Sequence, residues 1–396
     1  MTLRFPIYLD NHSTTPVDPQ VLECMLPYFT TEFGNASSKS HCFGWKAEFA
    51  VEKAREQVAS ILGAESSEII FTSGATESNN FALLGIAEKY QKRGNHIITS
   101  QIEHKCILDT CKFLEKKGFS VTYLPVDEYG QVSVDTLRNT IRPNTILISI
   151  MFANNEVGTI NPIAKIGALA KEKNIFFHSD AAQAVGKVKI DVNAMNIDLL
   201  SLSAHKMYGP KGSGALFLRR KNPHVEIDPL LHGGGQERGL RSGTLNVPGI
   251  VGLGKACVCA MENMPKEEER IVRYREMLYQ GLKKEIPDLK LNGHPNERLP
   301  QSLNVSFPYI ESDSLVASLK NIAVSSTSAC MSAAAIPSYV LKAMGLNQDL
   351  MNASVRFGLG RFTTEEEIVY TINTVAEKVK NLQQSSPLYK LKQEAR

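Results

Sequence analysis

Ile69-Ile70-Phe71-Thr72-Ser73-Gly74-Ala75-Thr76-Glu77-Ser78 is the stretch that decides the fold of this 396-residue chain. Its first four residues are β-prone and show no polar alternation, which suits a short strand covered on both faces. A Gly-containing turn follows at once, and a helix begins directly after it. The unit is strand, tight turn, helix. Upstream, Val51, Ala54, Val58, Ile61 and Leu62 fall on one helical face. Downstream, strand-like runs recur as His96-Ile97-Ile98-Thr99, Val121-Thr122-Tyr123-Leu124, Ile146-Leu147-Ile148-Ser149-Ile150, Ile175-Phe176-Phe177-His178 and Leu199-Leu200-Ser201-Leu202. Repeated units of this kind predict an α/β fold, with a mostly parallel sheet and helices on both sides.

The pattern changes after about Gly254. A helical stretch rich in Glu, Lys and Arg covers about 255–284, and alternating strands follow at Leu303-Asn304-Val305-Ser306-Phe307 and Val355-Arg356-Phe357. Thr363-Thr364-Glu365-Glu366-Glu367 has the spacing of a capping box, in which a Thr and a Glu three residues on satisfy the orphan amides of a helix start. These features predict a second, smaller α+β domain. The expected division is 16–260 for the large domain, with 1–15 and 261–396 together forming the small one.

Composition narrows the function classes. Hydrophobic residues at 43% and charged residues at 21% are the balance of a folded chain, not a disordered one. A net charge of +3 with the signs mixed leaves no footprint for nucleic acid or an anionic membrane. No apolar run approaches the roughly 20 residues needed to span a bilayer, and Met1 runs almost directly into the strand-like Ile7-Tyr8-Leu9. The expected location is the cytoplasm, or an organelle after loss of a leader. The seven cysteines (Cys24, Cys42, Cys106, Cys111, Cys257, Cys259 and Cys330) are odd in number and irregular in spacing. Neither a disulfide framework nor a zinc site is expected.

In an open parallel sheet, ligands sit at the carboxyl ends of the strands. The turn Ser73-Gly74-Ala75-Thr76 feeds a helix N-terminus whose free amides suit a phosphate; the plainer reading is a βα turn with Thr76 as N-cap. In His178-Ser179-Asp180-Ala181-Ala182-Gln183, an Asp ends a buried strand, which is costly unless a cation or several donors meet it. In Ser203-Ala204-His205-Lys206-Met207-Tyr208-Gly209-Pro210-Lys211-Gly212, a Lys stands beside a strand end among glycines that permit close approach. Lys206 and Asp180 together meet the needs of pyridoxal 5'-phosphate (PLP), an amine for its aldehyde and an acid for its pyridinium nitrogen. Alone, His104 reads as a solvated loop residue; beside a flat cofactor it would stack and carry protons. Cys330, in Ser328-Ala329-Cys330-Met331, reads alone as an inert thiol in a small-residue loop.

Taken in order, these stretches closely resemble the cysteine desulfurases of iron–sulfur cluster assembly, within the class V aminotransferase group of fold-type I PLP enzymes. The resemblance runs from Tyr8-Leu9-Asp10-Asn11 to Ser386-Pro387-Leu388, through Asn154-Asn155-Glu156-Val157-Gly158 and residues 233–244 and 356–367. It implies a large domain with a seven-stranded sheet, PLP as cofactor, and conversion of L-cysteine to L-alanine. The sulfur would pass to Cys330 as a persulfide, and no resident metal is implied, although Cys330 would hold sulfur or share a cluster ligand role in passing. By position, Lys206 forms the internal aldimine and moves the α-proton, Asp180 pairs with the ring nitrogen, Gln183 bonds the ring hydroxyl, and His104 stacks. Ala75, Thr76, Ser203 and His205 hold the phosphate, while Thr244 completes the site of the neighbouring subunit in a homodimer. Asn155 touches the cofactor and, with Arg356, the substrate carboxylate.

The implied acceptors are an iron–sulfur scaffold protein or a sulfur carrier, including one for tRNA thiolation. Several positions depart from the family pattern. Thr327 stands where Gly is common before Ser-Ala-Cys, Ala204 replaces a common Gly, and Asn11-His12-Ser13-Thr14 varies a motif that usually has Ala before the Thr pair. Only seven residues follow Tyr389, a shorter tail than many relatives use to grip the scaffold. The alternatives are a selenocysteine lyase or other class V PLP enzyme and, from another class, a non-catalytic sulfur-relay partner. Cys330 weighs against the first, and the joint presence of Lys206 and Asp180 against the second.

Overall fold

A computed structural model describes residues 3–326 and 338–394. Seven strands form the large sheet: β1 Ile69–Thr72, β2 His96–Ser100, β3 Ser120–Leu124, β4 Thr145–Ser149, β5 Phe176–Asp180, β6 Leu199–Ser203 and β7 Gly214–Leu218. Their order across the sheet is β1-β7-β6-β5-β4-β2-β3. Only β7 runs antiparallel to its neighbours, so the sheet is mostly parallel as expected. Every residue of β1, β5, β6 and β7 is buried, which explains the absence of a polar face on these strands. The periodicity identifies six of these strands and passes over β7. A βα unit is recognised by the helix after its strand, and β7 leads into irregular chain.

Three helices matter for the site: α1 Cys42–Leu62, α2 Ala75–Tyr90 and α3 Lys105–Lys116. Helix α2 is capped by Gly74, at φ 152°, so Thr76 lies inside the first turn and the reading of Thr76 as N-cap is incorrect. Strand β7 passes close to this turn: a Cβ on Gly214 would stand 2.6 Å from the Gly74 Cα. Gly74 also adopts a backbone conformation that side chains disfavour.

Helix α4, Val247–Glu285, runs 39 residues and starts eight residues before the expected 255. Gly249, Gly252 and Gly254 hide this first part, because glycine is a poor helix former. Packing explains them. A Cβ on Gly252 would lie 2.6 Å from the Met25 Sδ, and one on Gly254 would lie 2.7 Å from the Ala54 Cα in α1. Glycine therefore lets α1 and α4 pack backbone to backbone. The first part of α4 buries Ile250, Leu253 and Cys257 against the large sheet's core, and the later part buries Ile271, Leu278 and Leu282 in a separate apolar cluster.

That second cluster also takes Ile7 and Leu9 from the start of the chain. It underlies a small antiparallel sheet of β8 Lys290–Asn292, β9 Ser302–Ser306, β10 Ser325–Ser326 and β11 Ser354–Gly358, in the order β10-β11-β9-β8. Helix α5, Glu365–Ser385, opens with the expected capping box: the Glu367 amide donates to the Thr364 hydroxyl at 3.3 Å, and the Thr364 amide to the Glu367 carboxylate at 3.0 Å. Among the described residues, no helix is long and apolar enough to cross a membrane.

One buried ion pair ties the large domain's parts together. Arg55 of α1 donates to both oxygens of Glu237, at 2.7 and 2.8 Å, and the Phe71 amide of β1 donates to the same carboxylate at 2.8 Å. The side chains of Arg55 and Glu237 are 4% and 1% exposed. Removing the carboxylate would leave the buried guanidinium only the half-exposed Glu52 as charge partner, so Glu237→Ala is expected to cost about 3 kcal/mol of stability. Chemical denaturation of the two proteins checks this, and a loss under about 1 kcal/mol would contradict the account.

Candidate active site

A cleft of about 900 Å³ opens at the carboxyl ends of β1, β2, β4, β5 and β6. Ala75, Thr76, His104, Asn155, Asp180, Gln183, Ser203, His205, Lys206 and Arg356 all line it. Thr244 is exposed and lies outside this cleft. Cys330 and Thr327 lie outside the described residues.

At one end, Gly74 offers α2 no side-chain cap, so the amides of its first turn have no intrahelical partner. Ser203, which ends β6, faces this turn: a Cβ on Gly74 would lie 3.8 Å from the Ser203 hydroxyl oxygen. His205 follows in the short turn Ala204–Lys206, its Nδ1 3.1 Å from the Thr14 hydroxyl. Burial, with Lys206 and Lys211 nearby, pushes His205 down to about 4, so it is neutral at pH 7. Free amides and a hydroxyl, with Lys211 near His205, make this end suited to a phosphate.

Asp180 ends β5 and is 7% exposed. One of its oxygens accepts from the Asn79 amide at 2.7 Å and the other from the Ala182 backbone amide at 2.9 Å. Both of these donors are neutral. Beside it, Lys206 donates to the carbonyls of His12 and Ser13, the latter at 2.8 Å. Gln183 is engaged with His12 at both ends of its amide, donating to the backbone carbonyl at 3.0 Å and accepting from Nδ1 at 3.2 Å. His104 is exposed at the N-cap of α3, where its Nδ1 accepts the Cys106 amide at 3.2 Å. Its ring is open to the cleft.

Arg356 reaches the cleft from β11 of the small sheet. Its guanidinium donates to Asp10 at 2.8 Å, to the Ser13 hydroxyl at 2.9 Å and to the Asn155 carbonyl at 2.8 Å. Its Nε is buried and has no hydrogen-bond partner among the described residues. The same is true of the His12 Nε2, the Asn79 Oδ1 and the Asn155 Oδ1, and all four residues line the cleft. Buried polar atoms are normally paired, so this cluster marks a place shaped for a polar ligand. The residues present fit PLP: an amine, a buried carboxylate for the ring nitrogen, and a phosphate cradle one strand away.

The aminotransferase class-V family model matches residues 7–370. The chain belongs to that family. Its curated relatives include a cysteine desulfurase, IscS, from Anaeromyxobacter sp. (strain K), 55% identical over 389 residues that cover 98% of this chain and 96% of the relative. Among solved structures, a NifS-like protein superposes with a TM-score of 0.89 at 41% identity, covering 95% of this chain and all of the other. A structure of SspA in complex with cysteine gives a TM-score of 0.81 at 43% identity, covering 90% of this chain and 100% of that one.

This class-V site includes residues that sequence reasoning did not assign. Asn79 stands one helical turn after Thr76, a spacing that would have put it on the same face. Cys106 lies two residues after His104 and lines the cleft. Tyr339 donates its hydroxyl to the Glu103 carbonyl at 2.7 Å, an approach across the fold with no local signal. His12 is 1% exposed, and burial with Arg356 nearby pushes it down to about 3.

Glu103 sits behind His104, fully buried, accepting the Ser100 hydroxyl at 2.6 Å and the Met151 amide at 3.0 Å. Burial pushes its carboxyl from 4.5 up to about 8, so at pH 7 the folded protein holds this proton and the unfolded chain does not. The stability tied to that proton is full below about 4.5 and is lost as pH rises through about 8. Calorimetric melting from pH 5 to pH 8 should show a falling melting temperature in the wild type and a shallower fall in Glu103→Gln. Parallel curves would contradict a buried neutral carboxyl.

Proposed function

We propose that this protein is a PLP-dependent cysteine desulfurase that converts L-cysteine to L-alanine and takes the sulfur onto Cys330. The observation that carries the reading is the convergence of Lys206, Asp180 and Arg356 on one cleft, an amine, an acid and a carboxylate receptor from two separate sheets. The relatives named as cysteine desulfurases, and a related structure that holds cysteine, support the same substrate.

PLP supplies an electron sink for the charge left when a proton leaves the substrate α-carbon. The chain's own residues do the rest. Asp180 keeps a proton on the ring nitrogen, because a carboxylate held by neutral donors favours a cation in front of it. Lys206 carries the proton at the α-carbon, its amine held in place by the His12 and Ser13 carbonyls. Arg356 offers its unpartnered Nε–H to the substrate carboxylate, with the Asn155 amide beside it. His104 covers one face of the ring, and the α2 N-terminus with Thr76, Ser203 and His205 holds the phosphate. Cys330 attacks the substrate sulfur as thiolate, so an S–S bond forms as the Cβ–S bond breaks. Cysteine and a thiol become alanine and a persulfide, a balance that requires no external oxidant or reductant.

The active unit in this proposal is a cytoplasmic homodimer in which Thr244 serves the partner's phosphate cradle. Its exposed position outside the cleft supports that role. The large apolar side chains Phe29, Phe33, Trp45 and Phe49, each 55–72% exposed, support self-association. The persulfide passes to an iron–sulfur scaffold protein or a sulfur carrier.

Sulfide and alanine release from cysteine, with a thiol reductant present, tests the reading. The wild type should be yellow and active. Cys330→Ala should stay yellow and lose turnover by at least roughly 100-fold, the scale for losing one catalytic group. Lys206→Ala should lose the wild-type absorption band. A wild type that stays colourless after reconstitution with PLP would overturn the cofactor reading, and full turnover in Cys330→Ala would overturn the acceptor.

A further inference from the structure

One thiol in the cleft has no part in the mechanism above. The Cys106 Sγ accepts an N–H from Asn79 at 3.2 Å, and Asn79 gives its other N–H to Asp180 at 2.7 Å. On another side the sulfur lies 3.0 Å from the His104 Nδ1. Cys106 thus touches His104, at the start of α3, and the α2 amide that holds the buried acid.

The direction of each bond follows from chemistry. The backbone amide of Cys106 donates to the His104 Nδ1 at 3.2 Å, and an amide cannot accept, so Nδ1 of the neutral ring is bare. The Cys106 thiol must then be the donor in the contact with Nδ1. Asn79 meets the sulfur with an N–H, leaving the S–H to point at His104. The neutral ring consequently carries its proton on Nε2, the nitrogen turned away from this network.

We propose that Cys106 is a positioning residue: its S–H holds His104 as the Nε2–H tautomer and ties the ring's orientation to Asn79. Burial, with Asp180 close by, pushes the Cys106 thiol up to about 12, so it keeps the proton it donates throughout the neutral range. It does not relay that proton, because a thiolate here would face the buried carboxylate. His104 therefore presents an N–H to the cleft and exchanges protons only through Nε2. In this state it is a donor and not a base. This assignment rests on the PLP reading for its use, although the bond itself does not need the cofactor.

The test follows the ring nitrogens of His104 in full-length protein labelled with 15N-histidine, both as the PLP-loaded enzyme and free of PLP. His104→Gln identifies its signals among the nine histidines. The wild type should show Nε2 protonated and Nδ1 bare. Cys106→Ser keeps a donor at the same place and should match it. Cys106→Ala should raise the Nδ1–H fraction about fivefold, the effect of losing one neutral hydrogen bond. In the loaded enzyme, kcat should fall in Cys106→Ala with KM little changed, and Cys106→Ser should restore it. Unchanged His104 signals in Cys106→Ala, or a wild type protonated on Nδ1, would overturn the proposal. Because the PLP-free spectra report the tautomer without turnover, an inactive wild type would count against the desulfurase reading alone.

Discussion

A carboxylate buried at the end of a central strand is the constraint around which this protein is arranged. Asp180 is 7% exposed, and its two protein donors, Asn79 and Ala182, are both neutral. A buried charge met in this way costs stability unless something positive completes it. The surroundings hold it firmly nonetheless. Two residues below on β5, His178 is fully buried between the Ser149 hydroxyl of β4 at 2.9 Å and the Ser201 hydroxyl of β6 at 3.1 Å. Burial pushes that imidazole down to about 3, so it acts as a neutral crosslink between three strands. Asp180 therefore ends a strand that is crosslinked to both of its neighbours, which suits the role proposed for it against the cofactor ring.

The chemistry also depends on a seam between the two sheets, and the seam is residues 10–15. The Asn11 amide donates to Gly358 of β11 at 3.1 Å, and the Thr15 amide to His205 at 2.9 Å. The carbonyls of His12 and Ser13 take the Lys206 amine, while Asp10 and the Ser13 hydroxyl take Arg356. A short irregular strip thereby sets the distance between Lys206 and Arg356, the two groups proposed to handle the α-proton and the carboxylate. Ser13 adds a hydroxyl to the partners of the Arg356 guanidinium, at 2.9 Å.

Much of the site was legible because strand ends are legible. Apolar runs mark where a strand stops, and a polar residue at that point in a parallel sheet has a limited set of uses. Lys206 and Asp180 were found in this way from adjacent runs. What escaped did so for identifiable reasons. The first turns of α4 were masked by glycines whose role is to let α1 approach. Gly74 caps α2 in place of Thr76, in a backbone conformation (φ 152°) that glycine adopts freely. Cys106 looked like one ordinary thiol among seven, since Asn79 and His104 meet at its sulfur only when α2 and α3 pack. Cys330 was assigned through family resemblance and has no structural account among the described residues.

The sequence by itself determined the α/β alternation, the strand ends that carry Asp180 and Lys206, the capping box of α5 and the class of cofactor. These are properties of neighbouring residues, written as periodicity and local hydrogen-bonding capacity. The tertiary structure alone decided that Arg356 of the small sheet shares a cleft with Lys206, that residues 10–15 join them, and that Cys106 links Asn79 to His104. Such meetings depend on strand order and helix packing, which bring together side chains as far apart as Ser13 and Arg356. No local pattern encodes a contact over that separation. It exists because burying the apolar faces of both sheets leaves these polar groups only one space in which to meet.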